Sequence, residues 1–162
     1  MTSKPDAADG WPARLISTWF GCGYAPVAPG TVGSLAAIGI AVAIHRFAGF
    51  TPWHFALLAI AGFAPAVWAA TRTARALNRK DPGMVVVDEV LGQWIALAGA
   101  QTLGWKTYLG AFALFRLFDI WKPPPVRRFE ALPEGLGIVA DDVMAGMYAA
   151  LVLFLSRFVH FG

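Results

Sequence analysis

Four long stretches of the chain contain no Asp, Glu, Lys or Arg, and they dominate its pattern of polar and apolar positions. They cover residues 15–45, 47–71, 90–105 and 143–156, and a fifth, shorter stretch covers residues 107–115. The stretches are rich in Ala, Leu and Gly, lack the strict alternation of a half-buried strand and exceed the usual strand length. The pattern therefore predicts helices rather than strands.

Five helices are expected, at residues 31–44, 52–70, 85–103, 107–118 and 142–158. A complete bilayer span needs about 20 apolar residues. Only the second and third predicted helices reach this length comfortably, so we expect the others to be tilted, partly inserted or simply buried. The expected fold class is all-α, a compact, membrane-embedded bundle of about five or more helices.

Small residues recur at four-residue spacing in two of these helices. Gly92 is followed by Ala96 and Ala100, and Gly146 is followed by Ala150. Such spacing lets helix backbones approach closely, although ordinary core positions can show the same pattern. We therefore expect close helix contacts at one or both places.

Composition restricts the class of protein. Of the 162 residues, 57% are hydrophobic and 14% are charged, against about 45–50% and about 25% in ordinary soluble domains. This composition excludes disorder and favours a membrane protein.

The length fits one domain, expected at residues 15–162. A flexible N-terminal tail, which does not resemble a signal peptide, is expected before it at residues 1–14. The single Cys22 excludes an intramolecular disulfide, and the net charge of +3 is too thinly spread for nucleic-acid binding.

Five carboxylates lie near the predicted helix ends. Asp88 and Glu89 come early in the third predicted helix, Asp119 ends the fourth, and Asp141 and Asp142 open the fifth. If successive helices alternate in direction, all five side chains meet at one boundary between the apolar and polar parts of the chain. Like charges crowded at such a low-dielectric edge repel one another unless a cation compensates them.

A divalent cation is the simplest compensation. Carboxylate oxygens without His or Cys suit Mg²⁺, which takes a few carboxylates together with water and substrate phosphate. We therefore expect Mg²⁺ as the cofactor and the five carboxylates as its ligands and as the catalytic residues. One of them could instead act as a general base for water or as a nucleophile.

A purely structural interpretation of the same acids is also open. The two adjacent aspartates would then cap the fifth helix. Asp119 and Glu89 would be partners of Arg116 or Lys122 in ion pairs. This interpretation explains single residues more easily than it explains the convergence of all five.

Groups suited to binding a phosphate are expected on the same side. The start of the first predicted helix offers Thr31, Ser34 and unpaired backbone N–H groups, although Thr31 as a helix N-cap is an equally open interpretation. Lys80, Arg116 and Lys122 would neutralise the phosphate oxygens in the transition state.

Basic residues also favour the carboxylate side. With alternating helices, ten of the thirteen Lys and Arg residues fall on that side, and Arg46, Lys106 and Arg157 fall on the other. By the positive-inside rule, the acidic site is expected to face the cytoplasm.

Other phosphatase chemistries lack their residues. A cysteine nucleophile would need Arg six residues later, but Ala28 stands six residues after Cys22. The three histidines are expected at helix ends away from the carboxylates, and the segment after Asp119 lacks the second Asp of a haloacid-dehalogenase loop. These absences leave metal-centred chemistry.

Five motifs make the chain similar to a known family. They are GYAPVAPGTVGS at residues 23–34, KDP at 80–82, DE with GQ at 88–93, FRLFDIWKP at 115–123 and GLGIVADDVMAG at 135–146. In this order and density they resemble the phosphatidylglycerophosphatase A family over roughly residues 19–151. The resemblance implies a helical enzyme of the bacterial inner membrane that uses Mg²⁺ to hydrolyse an anionic phospholipid, phosphatidylglycerophosphate, to phosphatidylglycerol in phospholipid synthesis.

Three other functions fit parts of the pattern. A CDP-alcohol-type phosphotransferase of lipid synthesis would also use clustered Asp and Mg²⁺, but it should need a cytidine pocket, for which the sequence has no signature. A metal-ion transporter would place acids at mid-helix rather than near helix ends. A non-enzymatic membrane protein, as a metal-binding or scaffold component, would have no reason to cluster them.

Overall fold

The computed structural model describes residues 10–158, and all regular structure in this range is helical. Its elements are α1 (Trp11–Ser17), a 3₁₀ helix (Cys22–Tyr24), α2 (Pro29–Ala48), α3 (Pro52–Leu77), α4 (Val87–Ala98), α5 (Trp105–Trp121), α6 (Val126–Phe129) and α7 (Glu134–Ser156). The prediction of an all-α fold is confirmed.

Helix α4 lies at the centre of the bundle. It packs against α2, α3, α5 and α7, and residues on all its sides are buried, among them Val90, Leu91 and Leu97. A helix that is apolar all round belongs in the interior of a bundle. The two acids in its first turn, Asp88 and Glu89, are therefore positioned from the middle of the fold.

Glycines bring α4 and α7 into backbone contact. A β-carbon on Gly146 would overlap the carbonyl oxygen of Gly92, and one on Gly99 would overlap that of Ala150. The close approach predicted from small-residue spacing is confirmed for these helices. It also sets α7 beside the first turns of α4, because a β-carbon on Gly92 would lie 2.7 Å from the carbonyl oxygen of Asp142.

Three helices in the described range, α2, α3 and α7, are long and apolar enough to cross a membrane. The full span predicted at residues 52–70 agrees with α3. The full span predicted at residues 85–103 is wrong, because α4 has 12 residues and covers about 18 Å of a hydrocarbon core roughly 30 Å thick. The first and last predicted helices, expected to be tilted or partial, correspond to α2 and α7, which also reach spanning length.

Helix α4 is shorter than predicted at both ends. The β-branched side chains of Val85 and Val86 disfavour helix, and the Val86 N–H donates instead to the Ser17 carbonyl oxygen at 2.8 Å. At its other end the helix stops at Gly99, the C-cap, because glycine is a poor helix former.

Helix α7 begins at Glu134, well before its predicted start at Asp142. Gly135 is helical because it contacts α3, where a β-carbon would overlap the Val67 carbonyl oxygen. This packing outweighs the roughly 1 kcal/mol that glycine loses in a helix relative to alanine. Asp141 and Asp142 consequently lie about two turns inside α7. The expectation that they open the helix is wrong, and the helix-cap interpretation fails for both.

Two other helix starts differ from the prediction. Helix α1 begins at Trp11, so residues 11–14 of the predicted tail are helical, whereas residues 1–9 lie outside the described range. Helix α2 begins at Pro29 with Ala28 as its N-cap, so the interpretation of Thr31 as an N-cap is wrong.

Candidate active site

A pocket of about 140 Å³ opens where α4 and α7 begin and α5 ends. It is lined by all five predicted carboxylates, which are Asp88, Glu89, Asp119, Asp141 and Asp142, and by Lys80 and Lys122. Antiparallel neighbouring helices bring these residues together, as the alternating topology predicts. His45 and His54 lie near the α2–α3 connection, away from the pocket, and His160 falls outside the described residues.

Three of the carboxylates form the tightest group. One oxygen from each of Asp88, Glu89 and Asp142 lies within 4.8 Å of the other two. Asp88 and Asp142 are buried, and Glu89 is nearly so. The Asp88 Oδ1 and Glu89 Oε2 atoms are buried and accept no hydrogen bond from any residue in the described range. Buried polar atoms normally have a partner, so these oxygens are open to a ligand.

Burial also raises the pKa values of Asp88 and Glu89, the two acids in the first turn of α4. It raises the pKa of Asp88 well above its usual range, and the charges of Glu89 and Asp142 add to this effect. Burial raises the pKa of Glu89 as well, against the opposing effects of the neighbouring Asp88 side chain and of the nearby Arg116. A cation bound between these groups would offset both effects because it favours the ionised carboxylates.

The other two predicted ligands are ion-paired. Arg116 Nη1 lies 2.6 Å from Asp119 Oδ2 and 4.0 Å from Glu89 Oε1. Lys122 Nζ donates to Asp141 Oδ2 at 2.6 Å. The ion-pair interpretation of Asp119 and Glu89 therefore holds for their contacts with Arg116, while the Asp88, Glu89 and Asp142 oxygens remain grouped beside these pairs.

Lys122 is held at the pocket by its backbone and by two acids. It is the C-cap of α5 and adopts a left-handed conformation with φ of 46°, which turns the chain out of the helix. Burial lowers the pKa of Lys122, but its hydrogen bond to Asp141 and the charges of Asp141 and Glu130 outweigh this and raise the pKa. Lys122 therefore stays positively charged at the pocket wall.

The predicted phosphate cradle is only partly in place. Neither Thr31 nor Ser34 lines the pocket, and the Ser34 hydroxyl donates to the Gly30 carbonyl oxygen at 2.9 Å. A serine or threonine in a helix often bonds to the preceding turn in this way. The start of α2 nevertheless reaches the site, because a β-carbon on Gly30 would overlap Glu89 Oε1.

Three acids that were not predicted also line the pocket. They are Asp81, Glu130 and Glu134. Burial raises the pKa of Asp81, while Lys122 opposes this increase. Asp81 could have been found from its position beside Lys80 in the KDP motif, but Glu130 and Glu134 belong to a polar stretch of the sequence that gives no such signal.

This arrangement can bind a phosphate through a cation and through basic groups at the same time. The oxygen-only set of Asp88, Glu89 and Asp142 matches the ligands that Mg²⁺ prefers. Lys80 and Lys122 offer positive charge to phosphate oxygens from the pocket wall. Arg116, also predicted to bind the phosphate, does not line the pocket and instead contacts Glu89 and Asp119. A dianionic phosphate needs both contributions, because the carboxylates alone would repel it.

Comparisons with known proteins agree with this chemistry. A model of the family described as phosphatidylglycerophosphatase A matches residues 15–157. Phosphatidylglycerophosphatase A of Escherichia coli is 37% identical, over 88% of this chain and 82% of the relative. The enzyme of the same name from Haemophilus influenzae is 38% identical, over 91% of this chain and 90% of the relative.

A differently named relative comes from Bacteroides thetaiotaomicron. It is called "Putative phosphatidylinositol-3-phosphatase" and is 42% identical, over 90% of this chain and 93% of the relative. No solved structure matches the chain. Three helices of spanning length and these relatives indicate a membrane phosphatase that acts on a phosphate monoester. The chain belongs to the phosphatidylglycerophosphatase A family.

Proposed function

We propose that the protein hydrolyses phosphatidylglycerophosphate to phosphatidylglycerol and inorganic phosphate, and that it requires Mg²⁺ held by Asp88, Glu89 and Asp142. The observation that carries the Mg²⁺ requirement is the grouping of one oxygen from each of these side chains within 4.8 Å. Two oxygens of these side chains, Asp88 Oδ1 and Glu89 Oε2, are buried and have no hydrogen-bond partner among the described residues. The names of the Escherichia coli and Haemophilus influenzae relatives support the substrate.

The residues present fit the ion. All three donors are carboxylates, and the first turn of α4 supplies two of them from a buried helix. When bound, Mg²⁺ would neutralise charge on the phosphate and make phosphorus more electrophilic. Zinc would call for His or Cys ligands, and neither residue type lines the pocket within the described range.

The ion-paired residues complete the site. Arg116 holds Asp119 at 2.6 Å, and Lys122 holds Asp141 at 2.6 Å, so both acids are fixed at the rim of the cluster. Lys122 also lines the pocket, where the phosphate oxygens would develop charge in the transition state. Such pre-positioned charge stabilises a transition state without reorganisation.

The membrane is proposed to be the bacterial inner membrane, with the pocket facing the cytoplasm. The pocket lies at the end of the bundle where α2 and α7, two of the possible spans, begin. A lipid headgroup in the interface would reach it there. Arg46, Lys106 and Arg157 lie at helix ends away from the pocket, and the positive-inside rule then favours the cytoplasm for the pocket side.

Membership in a phosphatase family argues against the scaffold, transporter and CDP-alcohol phosphotransferase alternatives. A position near helix ends, which argued against a transporter, no longer holds for Asp141 and Asp142, because both lie inside α7. A second substrate class, phosphatidylinositol 3-phosphate, is favoured by the name of the Bacteroides relative. That lipid also carries a phosphate monoester on an anionic headgroup.

The decisive experiment measures phosphate release by the purified protein. Phosphatidylglycerophosphate and phosphatidylinositol 3-phosphate are supplied in nonionic detergent micelles, each with chelator and then with Mg²⁺. We expect phosphate release from phosphatidylglycerophosphate, and only when Mg²⁺ is present. Asp88→Asn should lose at least about 100-fold in rate, as expected for loss of an interaction in the ion shell. Lys106→Gln provides the control, because it also removes one charge and Lys106 is an exposed residue that does not line the pocket.

Three outcomes would contradict parts of this proposal. Full activity in chelator would remove the Mg²⁺ requirement. A preference for phosphatidylinositol 3-phosphate would replace the substrate. Equal rates for Asp88→Asn and Lys106→Gln would place the chemistry away from Asp88, Glu89 and Asp142.

A further inference from the structure

A second, basic pocket adjoins the carboxylate pocket. It has a volume of about 260 Å³ and is lined by Ala74, Arg75, Asn78, Arg79, Lys80 and Glu134. Lys80 and Glu134 line both pockets. The two spaces are therefore neighbours that share these side chains.

The basic pocket carries a surplus of positive charge. Three basic side chains face a single acid there, and among residues 10–158 neither Arg79 nor Lys80 is in an ion pair. Its chemistry fits an anion. The carboxylate pocket alongside has the opposite character, since most of its charged groups are acids.

Glu134 occupies the place that such an anion would take. Arg75 Nε donates to Glu134 Oε1 at 2.7 Å, and Arg75 Nη2 donates to Oε2 at 2.7 Å. Guanidinium groups bind phosphate with the same two-pronged geometry. The side chains are 66% and 45% exposed, and solvent-exposed pairs of this kind are weak. An incoming anion can therefore displace the carboxylate.

The proposed substrate has an anion to place there. Phosphatidylglycerophosphate carries a phosphate monoester and a phosphate diester, joined by one glycerol. When the phosphate monoester lies at Asp88, Glu89 and Asp142, the phosphate diester must lie one glycerol length away. The basic pocket adjoins the first pocket through Lys80, and it is the space where positive charge is in surplus.

Resting on the proposed function, we infer that the basic pocket binds the phosphate diester of the lipid, with Arg75 and Arg79 as its ligands. Glu134 holds Arg75 when the pocket is empty, and the diester displaces it on binding. Arg75 and Arg79 are then specificity-determining residues, because they recognise a group that a simple phosphate monoester lacks.

The test separates the two phosphate sites. KM and kcat for phosphatidylglycerophosphate are measured in nonionic detergent micelles, together with the inhibition constant of inorganic phosphate, the reaction product, as a competitor of the monoester at the carboxylate pocket. Arg75→Gln and Arg79→Gln should each raise KM about tenfold, the effect of losing one charge-assisted contact. Glu134→Gln should lower KM about threefold, because the competing carboxylate is gone. The inhibition constant of phosphate should stay unchanged in the two arginine variants, because neither Arg75 nor Arg79 lines the carboxylate pocket.

Arg127→Gln provides the matched control. Arg127 is exposed in α6 and lines neither pocket, so the substitution removes the same charge without touching the site. Its KM should equal that of the parent. An unchanged inhibition constant for phosphate also shows that an arginine variant is folded. If Arg75→Gln does not fold, Arg79→Gln alone tests the inference.

Several results would overturn the inference. KM and the phosphate inhibition constant rising together would place Arg75 and Arg79 at the monoester. Equal effects of Arg127→Gln would reduce their role to net charge. An effect that appears only after phosphatidylglycerol is added to the micelles would mean that the pocket holds a neighbouring lipid. Absence of phosphate release from the parent protein would instead overturn the proposed function.

Discussion

Two adjacent aspartates of α7 should respond in opposite ways to the same substitution. Asp141 and Asp142 are 5% and 4% exposed, but Asp141 pairs with Lys122 at 2.6 Å, whereas Asp142 faces Asp88 and Glu89 within 4.8 Å. In chelator, Asp142→Asn should stabilise the protein because it removes repulsion. Asp141→Asn should destabilise it because it leaves Lys122 facing a neutral amide.

The structure sets the size of both effects. Two full charges 4.8 Å apart repel by about 3.5 kcal/mol at an effective dielectric constant of 20. Water and partial protonation relieve most of this repulsion, so we expect Asp142→Asn to gain about 1 kcal/mol. Losing the charged hydrogen bond of Asp141 should cost about 1.5–3 kcal/mol. For a domain of this size, 1 kcal/mol corresponds to about 2–4 °C in Tm.

The assay is thermal unfolding in detergent at one scan rate, in chelator and then in saturating Mg²⁺. Binding to the native state raises Tm by mass action, so Mg²⁺ should stabilise the parent and Asp141→Asn more than it stabilises Asp142→Asn. The reasoning is refuted if Asp142→Asn melts below the parent in chelator and responds to Mg²⁺ as the parent does. If Tm in chelator shifts in the same direction in both variants, then burial of the charge, rather than the side chain that each aspartate faces, determines the change in stability.

Three further predictions concern the site, the orientation and the packing. Asp119→Asn should lower kcat about 100-fold, measured as phosphate release with Mg²⁺, and a loss under threefold would contradict a role at the site. In intact cells, a membrane-impermeant thiol reagent should label Lys106→Cys but not Lys80→Cys, and the reverse pattern would invert the orientation. Gly146→Val should lower Tm by several degrees because its side chain would meet the Gly92 carbonyl oxygen, and an unchanged Tm would contradict the close contact of α4 with α7.

The helical fold could be predicted from the sequence because it depends on local properties. Long stretches without charge, rich in Ala and Leu, favour helix wherever they are placed. The convergence of the carboxylates could also be predicted, since short connections between long helices force neighbours to run antiparallel. Both conclusions need only the order of residues along the chain.

Helix boundaries at the site depended on contacts that the order of residues does not show. Val86 leaves the helix because its N–H pairs with Ser17 on α1. Gly135 joins α7 because it fits against the α3 backbone. These contacts moved Asp141 and Asp142 from the start of a helix to its interior and shortened α4 below the length of a membrane span.

Only the tertiary structure decided which acid meets which partner. From the sequence, all five carboxylates are equivalent candidates for a metal. In the folded chain, Lys122 at the end of α5 meets Asp141 of α7, and one oxygen from each of Asp88, Glu89 and Asp142 lies within 4.8 Å of the other two. The pair of Arg116 with Asp119, three residues apart within α5, is the local exception. The physical reason is range: helix formation follows from neighbours a few residues apart, whereas an ion pair or a metal site depends on distances of a few ångströms between helices distant in sequence.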